Sequence, residues 1–576
     1  MNRVPVIDLF AGPGGLGEGF SRSRAARFQV AVSIEKDEMA FETLRLRAAH
    51  RALTRSGAAT ALVWRRWDAI LAESPWNIAF EVLRTCAIGA IAEACEEATR
   101  EAWHFELGPE NRLEVHAGIR SRLEHFSGDQ GLPKNAVLIG GPPCQAYSIV
   151  GRSRNRGTKG YKAEDDPRHF LYREYLHVIS DFQPAVFVME NVKGILSSQV
   201  HDRQIVQSIL GDLRRPDVAS GEDVGLEYDL FPVGASSDAL FDLLEPSHFL
   251  LEAEAHGVPQ ARHRVVILGV RRDVSQAAGP AGYLRPLAAP TVREVVGDLP
   301  RLRPKLSFRG AGKEWTDSFS DPLMANALTA LKASGDATLQ RVARRMETAR
   351  KALERQPDSG TGSDRTVLKQ GELARPAALA AWYCDRPSML LANHEARAHM
   401  PSDLVRYLFV SSFGEVTGSS PRLHDFPKCL LPAHKNVNPH KPEVAIFKDR
   451  FRVQVGDLHS MTVTSHIAKD GHAFVHFDPT QCRSLTVREA ARLQTFPDSY
   501  VFLGNRTAQY TQVGNAVPPY LAYQIAELVG DVLARAGLAQ KVRLGRQGGP
   551  QPEQRGTRTL RDRELAEHRI GSGPAR

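Results

Sequence analysis

Apolar positions in the first half of the chain fall in short unbroken runs, each closed by glycine, proline or an acid. "VPVIDLF" (4–10), "FQVAVSIEKD" (28–37), "NAVLIGG" (135–141), "PAVFVMENV" (184–192) and "RHRVVILGVRRD" (262–273) all have this form. Continuous apolarity over four to eight residues predicts strands buried on both faces. Residues 39–125, rich in Ala, Leu, Glu and Arg with few glycines or prolines, predict helices instead. Strands alternating with helical stretches over 1–275 predict an α/β unit built on a mostly parallel sheet.

Past residue 275 the pattern loosens. Residues 276–310 are rich in Pro, Gly and Arg, and a helical segment at about 322–355 runs into "PDSGTGSDR" (357–365), which predicts a flexible loop. Residues 385–480 predict short strands and loops with many histidines. Order returns in "SLTVREAARLQTFPDSY" (484–500), a predicted helix with Thr486 as N-cap and Glu489 completing a capping box. "NAVPPYLAYQIAELVGDVLARAG" predicts a long amphipathic helix, and the residues after 540 predict a disordered basic tail.

The chain has 576 residues, 42% apolar and 24% charged, enough for one large domain and a second. It holds no run of about 18 apolar residues that would span a membrane, and its start lacks a signal-peptide layout. Six cysteines (Cys86, Cys95, Cys144, Cys384, Cys429 and Cys482) are scattered without a CxxC pair. That argues against a zinc site or disulfide framework and fits a reducing cytoplasm. The histidines show no HxH or HExxH spacing, so no metal is expected. The net charge is +8, but residues 541–576 hold nine Lys/Arg against four Asp/Glu, leaving only +3 for the other 540. A nucleic-acid partner must therefore be argued from where charge sits, not from its total.

"DLFAGPGGLGEGF" contains Gly12, Gly14 and Gly17 in GxGxxG spacing, with Glu35 closing the next strand. This is the layout of a nucleoside-containing cofactor site: a tight turn, close backbone approach, and an acid for ribose hydroxyls. The turn alone does not separate a dinucleotide from S-adenosylmethionine, and a purely structural turn is the plainer alternative. Asp8, a carboxylate before the turn, suits a cationic amino-acid moiety, and Phe10 can stack on adenine; both tilt towards the methyl donor.

"LIGGPPCQAYS" (138–148) places Cys144 after Pro142 and Pro143, at the strand end where a parallel sheet keeps its ligand crevice. A rigidly held thiol before a helix would be a poised nucleophile; the alternative is an inert buried cysteine. "VFVMENV" brings Glu190 and Asn191 to another strand end, where an apolar setting would raise the carboxyl pKa; a helix cap is the alternative. Thiol, carboxyl and methyl donor together suit chemistry on a heteroaromatic ring. Thiolate addition at cytosine C6, with N3 protonated, turns C5 into an enamine carbon able to accept a methyl group. "GRSRNRGTKGYK" (151–162) follows with Arg152, Arg154, Arg156, Lys159 and Lys162 and no acid: a phosphate-clamping lid, or a solvated loop.

With these motifs in order, the sequence resembles the DNA (cytosine-5) methyltransferases. "IDLFAGPGGLGEGF" is similar to that family's cofactor motif, "GGPPCQAYS" to its nucleophile loop and "MENV" to its glutamate motif. "QARHR" (260–264), "RSLTVREAARLQTFPD" (483–498) and "QVGNAVPP" (512–519) resemble three further motifs. The resemblance covers 1–36, about 129–270 and 483–535.

It implies that Cys144 adds to C6, Glu190 engages N3 and the 4-amino group, and Arg262 and Arg264 hold the ring's O2 and the surroundings of the thiol. Asp8, Phe10, Gly12, Gly14, Glu35, Pro143 and Asn515 would line the S-adenosylmethionine site. Asp129 is the candidate for the adenine amino group, with Asp68 as the alternative. Ser148 and the arginines of the 151–162 loop would contact phosphate, and the target base must be flipped out of duplex DNA.

The expected architecture is a Rossmann-like methyltransferase fold: a catalytic domain over 1–275 with a helical insertion at about 40–125, a smaller target-recognition region at 276–482, and a return to the catalytic domain over 483–540. "NHEARAHM" (393–400) and "LPAHKNVNPHKPE" (431–443) would supply groove contacts. A cytoplasmic monomer that methylates a specific duplex sequence is expected, without metal or membrane, beside a possible cognate restriction endonuclease. An RNA cytosine-5 methyltransferase and an NAD-dependent oxidoreductase are the alternatives.

Overall fold

Four of the five predicted runs form parallel strands that, with one short unpredicted strand, line up as β3–β2–β1–β4–β5: Val4–Leu9 (β1), Phe28–Glu35 (β2), Ala102–His104 (β3), Val137–Gly140 (β4) and Val186–Val192 (β5). The computed structural model describes residues 3–128, 131–143, 171–197, 199–200, 203–234, 245–307, 314–320, 322–355, 359–369, 372, 375–432 and 451–540. Beyond β5 the sheet turns antiparallel. His263–Arg271 pairs with β5 on one side and with Tyr228–Pro232 and Leu250–Glu252 on the other. The sheet is thus a parallel core with an antiparallel margin, in agreement with the mostly parallel α/β expectation.

Strand order reverses between β1 and β4, because the chain runs outward from β1 through β2 to β3 and then returns to place β4 on β1's other side. In open α/β sheets this switch point is where the loops after neighbouring strands part and leave a crevice. Val4 and Val6 of β1 face one apolar layer with the helix Pro519–Arg535, while Ile7 and Leu9 face another with helices Arg112–Ser127 and Leu171–Phe182. The sheet is therefore covered on both sides, which is why its strands read as unbroken apolar runs.

The helical insertion contains Gly15–Ser21's neighbours Glu38–Ser56, Ala61–Glu73, Ala79–Arg84 and Gly89–Glu101, designated α2 to α5, with Gly15–Ser21 itself as α1. Inside the stretch expected to be wholly helical lies β3, only three residues long and too short to show a strand pattern. Trp64, Trp67, Phe80 and Cys95 of the insertion share a core with Leu390, Ala392, Val501 and Leu503. Distant parts of the sequence thus close one apolar cluster, and Met1–Val542 form one compact unit.

Two expectations past residue 275 are corrected. The segment read as a flexible loop contains the strand Gly362–Val367, paired antiparallel with Leu390–Glu395; its polar side chains hid it. The stretch read as strands and loops contains the 17-residue helix Pro401–Thr417, opened by proline at its first turn. Leu404 to Gly414 is buried except Arg406, so no polar face marks a helical period. The helices Pro322–Ala333 and Ala337–Arg355, the Thr486–Glu489 capping box and the helix Pro519–Arg535 are as expected. The tail after 540 lies outside the described residues.

Candidate active site at the switch point

Register brings three motifs together. Leu9 of β1 is opposite Gly140 of β4, and Gly140 is opposite Met189 of β5. The glycine turn, the GGPP loop and Glu190 therefore leave the sheet side by side. Gly140 needs its missing side chain, since a Cβ there would lie 2.7 Å from the carbonyl oxygen of Leu9. Cys144 follows four residues later and, with Ser148, Arg152, Arg154 and Arg156, lies outside the described residues, as does Asp129.

Glu190 occupies the cleft between β4 and the antiparallel strand. Its Oε1 lies 2.8 Å from Nε of Arg264 in an ion pair, and the two side chains remain 14% and 15% exposed. A Cβ at Gly141 would sit 2.9 Å from its Oε2, so the second glycine of GGPP makes room for the carboxylate. Asn191 donates to the Pro142 carbonyl at 3.3 Å and, through Oδ1, accepts from the Val192 amide at 2.8 Å. This ties the GGPP loop to β5 one residue before Pro143, which is half-buried where the described part of the loop ends.

Arg262 is placed differently from Arg264. It is 1% exposed, and its guanidinium donates to the carbonyls of Val463 (2.9 Å), Gly514 (3.2 Å) and Asn515 (3.5 Å). Burial pushes its pKa well below the usual arginine value. Arg262 thus turns its two terminal nitrogens to backbone carbonyls, with Nε left without a partner, whereas Arg264 faces Glu190. Gln260 works the same way, donating to Leu493 and Gln494 and accepting from the Val463 amide at 2.7 Å. QARHR thus joins three remote stretches, around 463, 493 and 514, and spacing alone does not show which way its two arginines face.

On the other side of the cleft, Phe10, Gly12 and Gly14 have φ of 56°, 57° and 96°. A left-handed glycine is unstrained, but Phe10 in that region is uncommon and marks a site held by its surroundings. The Gly12 amide donates to Glu35 Oε2 and the Asp37 amide to Oε1, both at 2.8 Å, so the acid closing β2 clasps the turn. Burial raises the pKa of Glu35, opposed by those amide bonds. Nothing lies within 4 Å of where a Gly12 Cβ would be, so the turn borders open space. Next to it, at the ends of β2 and β3, Lys36, Asp37, His104, Phe105 and Glu106 line a cavity of about 460 Å³.

Asp8 and Asp68 both lie buried inside the fold. Asp8 is 1% exposed, with neither carboxylate oxygen hydrogen-bonded to a side chain, and a Cβ on Gly17 would lie 2.9 Å from its Oδ2. Burial raises its pKa to about 8, and it lies beneath the turn. Asp68 is consumed elsewhere: it accepts from Arg386 at 2.6 and 3.2 Å, from Ser388 and from the Met389 amide. The acids beside the cavity are Asp37 and Glu106, the latter ion-paired with Lys36 at 2.9 Å and not legible from sequence because β3 is so short.

The chain's end completes the site. A Cβ on Gly15 would lie 2.3 Å from the Val517 carbonyl, so α1 and the segment after Asn515 pack backbone to backbone. Tyr500 donates to the Pro13 carbonyl. Asn515 itself is exposed at the end of the helix Arg506–Asn515. In "NHEARAHM", Asn393, His394 and His399 are buried, and both histidines bond internally, to Thr486 and the Pro300 carbonyl, and to Tyr407 and Ser484, while Glu395 and Arg397 remain half-buried. "LPAHKNVNPHKPE" lies outside the described residues from Ala433 to His440 and on to Glu443.

A glycine turn bordering open space and a carboxylate–guanidinium pair thus meet at the switch point of an α/β sheet. Residues 119–531 match the C-5 cytosine-specific DNA methylase family, and the chain belongs to it. It is 31% identical over 536 residues to the type II methyltransferase M.Bpa9945I of Bacillus paralicheniformis, covering 92% of this chain and 99% of that one. It is 26% identical over 458 residues to the DNA (cytosine-5-)-methyltransferase M.ApeKI of Aeropyrum pernix, covering 74% and 88%. The crystal structure of the S. pombe Dnmt2 methyltransferase covers 92% of this chain and 99% of its own at a TM-score of 0.35 and 13% identity. The enzyme is a DNA (cytosine-5) methyltransferase. Among the described residues no helix is long and apolar enough to cross a membrane.

Proposed function

We propose that the cleft between the glycine turn and Glu190 methylates C5 of a cytosine flipped from a specific duplex sequence, with S-adenosylmethionine as donor. The observation that carries this reading is the alignment of Leu9, Gly140 and Met189 across adjacent strands, which sets the cofactor turn, the loop leading to Cys144, and Glu190 around one opening. The donor fits the residues present: Gly12 borders open space, Glu35 keeps lone pairs that would accept from ribose hydroxyls, and Phe105 and Glu106 line the adjoining cavity, where an aromatic face and an acid would suit a purine. When bound, it supplies an electrophilic methyl group.

The chain's own residues do the rest. Cys144 sulfur attacks C6, and Glu190 holds the proton at N3 so that the electron pair released from the 5,6 double bond makes C5 nucleophilic. Arg264 fixes the Glu190 carboxylate and stabilises charge developing at O2. After methylation, a base removes the C5 proton and the C6–sulfur bond breaks. Residues 276–482 form the target-recognition region and 483–540 return to the catalytic domain. The basic loop with Ser148, Arg152, Arg154 and Arg156 closes on phosphate.

The protein acts as a monomer. The type II relatives support a role beside a cognate restriction endonuclease, in the cytoplasm where its DNA lies. Bisulfite sequencing of DNA from cells expressing the protein tests the reading: 5-methylcytosine in one recurring sequence is expected, and an unmodified genome from active-folded protein would reject it. Covalent capture on duplex DNA containing 5-fluorocytosine tests the Cys144 step.

A further inference from the structure

The helix Ala337–Arg355 carries six basic residues and two acids, a net +4, where the first 540 residues together carry only +3. Its charges are sorted by face. Val342, Ala343, Met346, Ala349 and Leu353 are buried in the core that includes Val405, Phe409 and Phe451, so the helix cannot roll about its axis. Glu347 is paired with Lys332 at 2.6 Å, Glu354 with Arg350 at 2.6 Å, and Arg345 with Glu415 at 2.9 Å. What remains is Arg341, Arg344, Lys351 and Arg355, all exposed, with Thr348 between them. Their spacing of three, seven and four residues keeps them on one face. Among the described residues none of the four has a carboxylate within ion-pair distance; Arg341 reaches only the Thr338 hydroxyl at 3.4 Å.

We propose that this stripe is a second DNA contact, outside the catalytic cleft, that grips the phosphates of the duplex flanking the target. The inference rests on the DNA-methylating function above. The stripe extends over roughly 21 Å at 1.5 Å per residue, while duplex DNA offers one charge per about 1.7 Å of axis. Four cations fixed on a rigid rod can therefore each meet a phosphate without reorganising. Phosphate contacts of this kind set affinity and register and carry no sequence information. A solvated face would gain nothing from having its own acids drawn off to other partners, whereas a polyanion surface requires it.

The test is binding of the full-length protein to a mixed-sequence 40-base-pair duplex, read by fluorescence anisotropy at increasing NaCl. The variant is R341Q/R344Q/K351Q/R355Q. Each lost phosphate contact lowers the slope of log K against log[salt] by about 0.9, so a drop of about 2 to 4 is expected, with affinity at low salt reduced on the order of 10- to 100-fold. The lysine-preserving variant R341K/R344K/R355K should keep most of the slope, and its Tm, like that of the glutamine variant, should match wild type. If the fourfold variant folds poorly, R344Q/K351Q should show about half the change.

An unchanged slope and affinity in variants whose wild type binds and methylates DNA would overturn this proposal alone. A wild type that neither binds nor methylates duplex would instead reject the functional reading. Loss of binding to phosphatidylserine vesicles with an unchanged duplex slope would also overturn it, by making the stripe a membrane surface.

Discussion

The cleft and the motif helix Val487–Leu493 both depend on arginine–carboxylate pairs, yet they use them in opposite ways. In the motif region Arg483 grips both oxygens of Glu489 at 2.7 Å, and Arg492 grips both oxygens of Asp498 at 2.8 Å while reaching Asp298 at 2.6 Å. The arginines there are 0% exposed, and Glu489 is 1% exposed. Against the cost of burial, the Arg483 guanidinium holds the Glu489 carboxyl well below the usual range. At the cleft, one Arg264 nitrogen meets one Glu190 oxygen, and both side chains keep a path to solvent. A fully satisfied buried pair is fixed structure; a half-satisfied, half-open one is free to accept a substrate. The same two residue types thus mark scaffold or chemistry according to how many of their hydrogen bonds the protein itself uses.

The comparison can be broken most directly at the cleft. Replacing Cys144 by alanine should lower methyl transfer by on the order of 10⁴-fold or more, while calorimetry with S-adenosylhomocysteine should show intact binding. Turnover near wild type would remove the covalent step from the scheme. Glu190→Gln should cost about 10² to 10⁴ in kcat with thermal stability unchanged. Its counterpart in the scaffold should behave in reverse: Glu489→Gln strands Arg483 in the interior and should lose roughly 3–5 kcal/mol of stability in urea unfolding. Equal effects of these two substitutions on Tm would erase the distinction.

A finer contrast lies within QARHR. Arg262→Met leaves buried carbonyls without donors, each costing about 1–3 kcal/mol, so its Tm should fall. Arg264→Met should chiefly lower kcat, and exchange of those two outcomes would reverse the assignment of the arginines.

The smallest expected effect is the pH response of the recognition side. Burial pushes His394 and His476 down to about 4. Their unfolded forms take up protons from about pH 6.5 downward, so their stabilisation is complete above that value and is lost as pH falls towards 4. Thermal melts between pH 7 and 4 should show this loss, and the double variant H394N/H476N should show a flatter profile. An identical profile would mean the two histidines ionise freely in the fold.

The strands of the catalytic half, the glycine turn, the capping box at Thr486 and the closing helix were legible because each is written in local pattern: apolar runs for strands buried on both faces, and a side chain three residues from its cap. Family membership was legible for the same reason, since its motifs are short and contiguous. The helix Pro401–Thr417 was not, because burial all round removes the polar face that marks a period. Glu106 was not, because a three-residue edge strand has no pattern of its own.

The sequence by itself determined which residues were available for chemistry and in what order they come. Only the tertiary structure decided their roles: it sent Arg262 inward and Arg264 to Glu190, buried Asp8 below the turn, and gave Asp68 to Arg386. Those outcomes depend on which carbonyls, cations and solvent surround a side chain once remote segments meet, and charge in a protein takes its meaning from that surrounding.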